Sequence, residues 1–129
     1  MTSSGAVELE PGAVELEIAE GFVRKNDFHG AWPYILAAAE LGNPKANFMV
    51  GEAYDEEGRM RTDYAKAAEY YRRAAEGNHS LAMLNLAMLY KTGNGVVQNN
   101  QEAARLYARV IKKGGPGSLV AQLMLMCLV

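Results

Sequence analysis

The sequence holds a single cysteine, Cys127, which excludes an internal disulfide framework. No long hydrophobic run occurs. The most extended, LVAQLMLMCLV from Leu119 to Val129, is 11 residues including Gln122. A bilayer-spanning helix needs about 20, so no membrane insertion is expected. Positive charge is not in excess: the formal net charge is −2, which gives no electrostatic ground for binding nucleic acid. The opening MTSSGAVELEPGAVELE has neither a basic region nor an unbroken apolar core, unlike a secretory signal peptide, and the expected location is cytoplasmic.

The motifs of catalysis and cofactor binding are also missing. No GxxxxGK[ST] occurs, and Gly93-x-Gly95 has Gln98 where a dinucleotide fingerprint needs its third glycine. Lys91-Thr92-Gly93 matches a tripeptide of serine hydrolases that act on β-lactams. None of Ser3, Ser4, Ser80 or Ser118, however, has the lysine three residues on that such a nucleophile requires. His29 and His79 lack cysteine or carboxylate partners at metal-ligand spacing and read as solvated or capping histidines. Cys127 has no adjacent base or cation to activate it and reads as a small hydrophobe. The expectation is a non-enzyme with no catalytic residue, no metal and no cofactor.

What the chain does have is the composition of one ordinary globular domain, 129 residues with 50% apolar and 22% charged side chains. Its charge is uneven. Glu8, Glu10, Glu15, Glu17 and Glu20 make the first twenty residues −5, which leaves +3 for the remainder. GAVELE occurs twice there, around Glu10-Pro11, so residues 1–20 read as an acidic, mobile, low-complexity segment.

Beyond it the chain repeats. Asp27 pairs with Asp63, Ala31 with Ala67 and Ala103, Tyr34 with Tyr70, Ala38-Ala39-Glu40 with Ala74-Ala75-Glu76, Ala46 with Ala82 and Tyr54 with Tyr90, always at an offset of 36. Two helices of about 12 residues, a loop and a turn fill such a period, so the unit is an αα-hairpin. In the first helix, Ala46, Val50, Ala53 and Tyr54 mark the inward face, and Gly51 allows close approach of a neighbour. In the second, Thr62 or Asp63 caps the start, Gly77 permits a left-handed stop, and Tyr64, Ala67, Ala68, Tyr71, Ala74 and Ala75 are the buried stripe.

The chain divides into an acidic segment (1–20) and a repeat domain (21–129) made of a half unit 21–44, repeats 45–80 and 81–117, and a half unit 118–129. In the last of these AQLMLMCLV aligns with AMLNLAMLY once three extra residues are allowed in the preceding turn. In the first, Asp27 to Gly42 is a lone second helix with Pro33 tolerable only near its first turn. Its missing partner would be PGAVELEIAEG, whose alternation AVELEI suits a strand as well as a helix. Between the full helices, YKTGNGVVQNN reads as a joint: Gly93 and Gly95 reverse the backbone, Val96 or Val97 tucks inward, and Asn99 or Asn100 caps the next helix.

These residues resemble the Sel-1-like repeat, an α-solenoid relative of the tetratricopeptide repeat. The resemblance rests on AMLNLAMLY, GNGVVQNN, DYAKAAEYYRRAAEGN and AAELGN in order, and covers Asp27 to Val129. A tetratricopeptide array would repeat at 34 residues with a proline near the end of the second helix. The sequence departs from the family pattern in the loop EEGRMRTD, which lacks Gly-x-Gly, at Asn99-Asn100, and in its half-present last unit.

The resemblance implies an all-α, right-handed solenoid of antiparallel helix hairpins acting as a non-catalytic adaptor for a protein or peptide partner. It also implies that the first helices form a concave wall. The positions left on them after the core is assigned are Asn47, Met49, Glu52, Asp55, Met83, Asn85, Met88 and Lys91, the expected binding face. Arg72, Arg73, Arg105, Arg109, Lys112 and Lys113 fall on second helices, as a solvated outer face. The alternative is a self-associating structural piece of a longer array, dimerising through Leu123, Leu125 and Leu128 of an uncovered last helix. A β-lactam-binding relative is the remaining, weaker alternative.

Overall fold

The computed structural model describes residues 9–128. It contains α1 (Ala13–Arg24), α2 (Phe28–Glu40), α3 (Pro44–Tyr54), α4 (Tyr64–Glu76), α5 (Ser80–Thr92), α6 (Asn100–Lys113) and α7 (Ser118–Met126). Each helix packs on its neighbours in sequence, most extensively within the pairs α1–α2, α3–α4 and α5–α6. The result is an all-α solenoid of antiparallel hairpins α1–α2, α3–α4 and α5–α6, with α7 laid against α6, as the period predicts.

The repeat is written in the caps. Asp27, Asp63 and Asn99 stand 36 apart and begin the second helices, their side-chain oxygens accepting from Gly30 N (2.9 Å), Lys66 N (3.1 Å) and Glu102 N (3.1 Å). Asn43 and His79, again 36 apart, begin α3 and α5 and accept from Ala46 N (3.0 Å) and Ala82 N (3.3 Å). Each such cap contributes about 1 kcal/mol.

The turns between hairpins repeat too. Gly42 (φ 93°), Asn78 (φ 68°) and Gly114 (φ 76°) occupy one left-handed position. The stop after α4 is therefore made by Asn78, whose short polar side chain tolerates that region, and Gly77 has an ordinary φ of −83°. Glycine is required at 77 for a different reason: a Cβ there would lie 2.4 Å from Cγ of Pro44.

The core is built of alanines interlocked with large rings. Ala67, Ala68, Ala74, Ala75, Ala82, Ala87 and Ala103 are buried around Tyr71, Tyr107, Leu106 and Val110. Gly51 gives Tyr71 its space, since a Cβ at 51 would meet the ring at 2.5 Å. Phe48 packs on Tyr71 with centroids 5.9 Å apart and stacks on His79 at 4.5 Å, tying the α3–α4 hairpin to the start of α5.

The N-terminal end differs from expectation. The boundary drawn after residue 20 falls inside α1, which buries Leu16 and Ala19 against α2, and whose Glu20 pairs with Lys45 at 2.6 Å. Residues 13–20 are thus part of the first hairpin; the expectation for residues 1–8 lies outside the described residues. Within AVELEI only Leu16 is buried while Val14 and Ile18 are exposed, so the alternation was a poor guide. Pro33 lies at the sixth residue of α2, beyond the first turn, and costs the His29 carbonyl its helical partner. At the other end, α7 is anchored by buried Ala121 in the shifted register.

Candidate functional site

The helix-joining loops shape the groove face. In Gly93–Asn99 both glycines are left-handed (φ 77° and 73°), and a Cβ at Gly95 would lie 2.3 Å from the carbonyl carbon of Tyr64. Val96 tucks against the core, Val97 is exposed, and Asn99 is the cap. Asn99 N donates to Tyr90 O at 2.8 Å, and 36 residues earlier Asp63 N donates to Tyr54 O at the same distance. Both loops therefore close alike, but in the earlier one Glu57 (φ 63°) occupies the left-handed position that Gly93 fills later. YKTGNGVVQNN is a joint, and the charged side chains sit in its counterpart.

That counterpart walls a cleft of about 550 Å³, a volume in the range of ligand sites, about 300–1,000 Å³. Its apolar floor comes from Val23 of α1, Phe28 and Ile35 of α2, and Met49 and Ala53 of α3. Glu52, Asp55, Glu56 and Glu57 also line it, with Arg59 the single cation among the lining residues. The Arg59 guanidinium lies over the Phe28 ring, 5.2 Å from its centroid. A second hollow of about 260 Å³ follows along α5, lined by Asn85, Met88, Leu89, Thr92, Asn94 and Tyr64, and shares Asp55 and Glu56 with the first. Asn85 lines both, so the two hollows adjoin and together are called the groove beside the first helices.

Tyr71 fixes the middle of this groove. Its hydroxyl donates to Asp55 Oδ2 at 2.6 Å; burial first, and that hydrogen bond second, hold the phenol far above the ordinary tyrosine range. Burial also pushes the Glu52 carboxyl up, and the neighbouring Asp55 charge adds to the effect. A cation placed between these carboxylates would relieve that repulsion. No group of three or more His, Cys, Asp or Glu side chains with metal-site geometry occurs among the described residues.

Of the expected binding face, Met49, Glu52, Asp55, Asn85 and Met88 are brought together along the groove. Lys91 is half-buried on the last turn of α5 and lines neither hollow. Asn47 and Met83 are corrections: at 2% and 0% exposure they are interior. They share one register position that points between second helices, where Asn47 Nδ2 donates to the Ala39 and Asn43 carbonyls at 3.1 Å. Of the self-association candidates Leu123 is 55% exposed, whereas Leu125 and Leu128 pack partly into the core. Sequence reasoning missed Phe28, Glu56, Glu57 and Arg59; the available signal was the departure of EEGRMRTD from Gly-x-Gly.

The Sel1 repeat model matches residues 44–79 and 80–114, together more than half of the chain. The chain belongs to the Sel1 repeat family. It is 39% identical over 71 residues to protein sel-1 homolog 2 of Rattus norvegicus, covering 54% of this chain and 10% of that protein. It is 28% identical over 102 residues to the ERAD-associated E3 ubiquitin-protein ligase component HRD3B of Arabidopsis thaliana, covering 79% and 16%. The chain spans about a tenth to a fifth of the length of the curated relatives it matches. The crystal structure of a Sel1 repeat protein from Oxalobacter formigenes has the same fold, with a TM-score of 0.80, 23% identity and 89% of each chain covered. Membership carries the general role of Sel1 solenoids, that of a non-catalytic protein-interaction scaffold. No helix among the described residues is long and apolar enough to cross a membrane.

Proposed function

We propose that the chain is an adaptor that holds an extended or helical segment of a protein partner along the groove beside α1, α3 and α5. The observation that carries this reading is that the two adjoining hollows share Asp55, Glu56 and Asn85, which supports a track with apolar contacts and fixed polar groups on one face. A relative described as a component of a ubiquitin ligase is consistent with service as an assembly part. A cytoplasmic location belongs to this reading, on the lone cysteine of the sequence. Replacing Asn85 and Met88 together by alanine, with Lys91→Ala as a control outside the groove, tests it. Partner binding measured by titration calorimetry falls with the pair and not with the control. Unchanged binding in a folded double variant overturns it.

A second reading is favoured by α7, where Leu119, Val120, Leu123 and Met126 are exposed and fall on one helical face. Covering that face with a second copy would recover about 1.5–3 kcal/mol for each large side chain buried. Light scattering decides it: this reading expects a dimer that Leu123→Asp converts to monomer, and a monomer at all concentrations rejects it.

A further inference from the structure

The larger hollow is asymmetric in a way that selects its occupant. Its lining joins apolar and aromatic residues to four carboxylates, and the one cation among its lining residues is already stacked on Phe28. Tyr71 holds Asp55 through the hydrogen bond from its hydroxyl to Oδ2, and Glu52 lines the same hollow beside it. A neutral or acidic segment would bury these carboxylates without partners, which is costly. A basic one would complete them.

We infer that the partner segment presents an arginine flanked by an aliphatic residue, its guanidinium held by the Glu52, Asp55 and Glu56 carboxylates and replacing Arg59 over Phe28, its neighbour seated on Met49 and Ala53. This rests on the adaptor reading and specifies its partner. Arginine is preferred to lysine because a planar guanidinium both stacks on an aromatic face and donates in pairs to carboxylates, whereas an ammonium is a compact, strongly hydrated charge. Arg59 then acts as an internal competitor that the incoming residue displaces.

The test is panning of a random heptapeptide phage library on the full chain, followed by titration of a synthetic copy of the most enriched peptide. Enriched peptides carry arginine beside Leu, Ile or Met, and exchanging that arginine for lysine weakens binding several-fold. Glu52→Gln with Glu56→Gln weakens it about tenfold or more, the loss of charge-assisted hydrogen bonds. Glu57→Gly also weakens it, although glycine suits the backbone there and keeps the protein folded. Arg59→Gln strengthens it, an effect that a purely structural role for Arg59 would not produce. Enriched peptides without arginine, held equally by the glutamine variants yet lost on Met88→Ala, overturn the arginine inference and leave the groove as the binding face. Peptides indifferent to every variant, or no enrichment over bare resin, overturn both.

Discussion

In the α3–α4 hairpin the Tyr71 hydroxyl donates to Asp55; in the α5–α6 hairpin the hydroxyl of Tyr107, 36 residues on, is buried with no partner among the described residues. Lys91 stands where Asp55 stands, so the acceptor has been lost while the ring, needed for packing, has been kept. The loops show the same division. The later one uses Gly93 and Gly95 and presses against the backbone of Tyr64. The earlier one places Glu57 and Arg59 at those register positions and turns them to the groove. Even a shared need is met differently: the Ala39 carbonyl accepts from Asn47, whereas the equivalent Ala75 carbonyl accepts from Arg109 at 3.0 Å, because Met83 has nothing to donate. One hairpin keeps the regular glycine joint, and the other sets charged side chains on the same frame.

Substitutions at matched positions should separate the two. The largest effect is expected at Gly95→Val, which combines a left-handed β-branched residue with a clash on the Tyr64 backbone and should cost about 3 kcal/mol or more. Its counterpart Arg59→Val, at an exposed position, should cost about 0.5 kcal/mol or less; urea unfolding of both proteins checks the contrast. Next come the tyrosines. Tyr71→Phe strands the buried side of Asp55 and should cost about 1–2 kcal/mol, while Tyr107→Phe removes only an unpaired hydroxyl and should be neutral or stabilising within about 0.5 kcal/mol. Glu57→Gly should stabilise by about 1 kcal/mol, since glycine adopts φ of that sign without a Cβ penalty, and thermal unfolding will register it.

The smallest effect concerns pH. Burial, then Lys113 and Lys45, hold His79 below its ordinary value of 6.5, and its Nδ1 must stay unprotonated to accept from Ala82 N. A depressed folded-state pKa means that the stability contribution is full above 6.5 and is lost as pH falls through the folded value. His79→Asn, which restores the residue found at the matching cap Asn43, should flatten that part of the stability profile while keeping the cap.

The solenoid was legible because its determinants are periodic: caps, alanine stripes and tyrosines recur at 36 residues, and a recurring pattern identifies itself without tertiary information. The first hairpin was half hidden because the AVELEI segment of α1 alternates like a strand. Its burial depends on α2 and on a left-handed Gly12 whose Cβ would strike the Ala38 carbonyl oxygen at 2.7 Å, which is tertiary knowledge. Asn47 and Met83 were misplaced because polarity and flexibility suggested surface where the register points inward. Glu56, Glu57 and Arg59 were not legible because a repeat identifies what recurs at 36 residues, and these side chains break the pattern.

The central claim is that partner binding occurs in the groove of the α3–α4 hairpin and not at the glycine joint or on α7. Backbone amide chemical shifts followed by two-dimensional NMR, as the most enriched arginine heptapeptide is titrated into the full chain, test it most directly. The account predicts perturbations concentrated at Phe28, Met49, Glu52, Asp55 through Arg59, Tyr71 and Asn85. Perturbations confined to Gly93–Asn99 or to Ser118–Met126, with those residues unmoved, would contradict it.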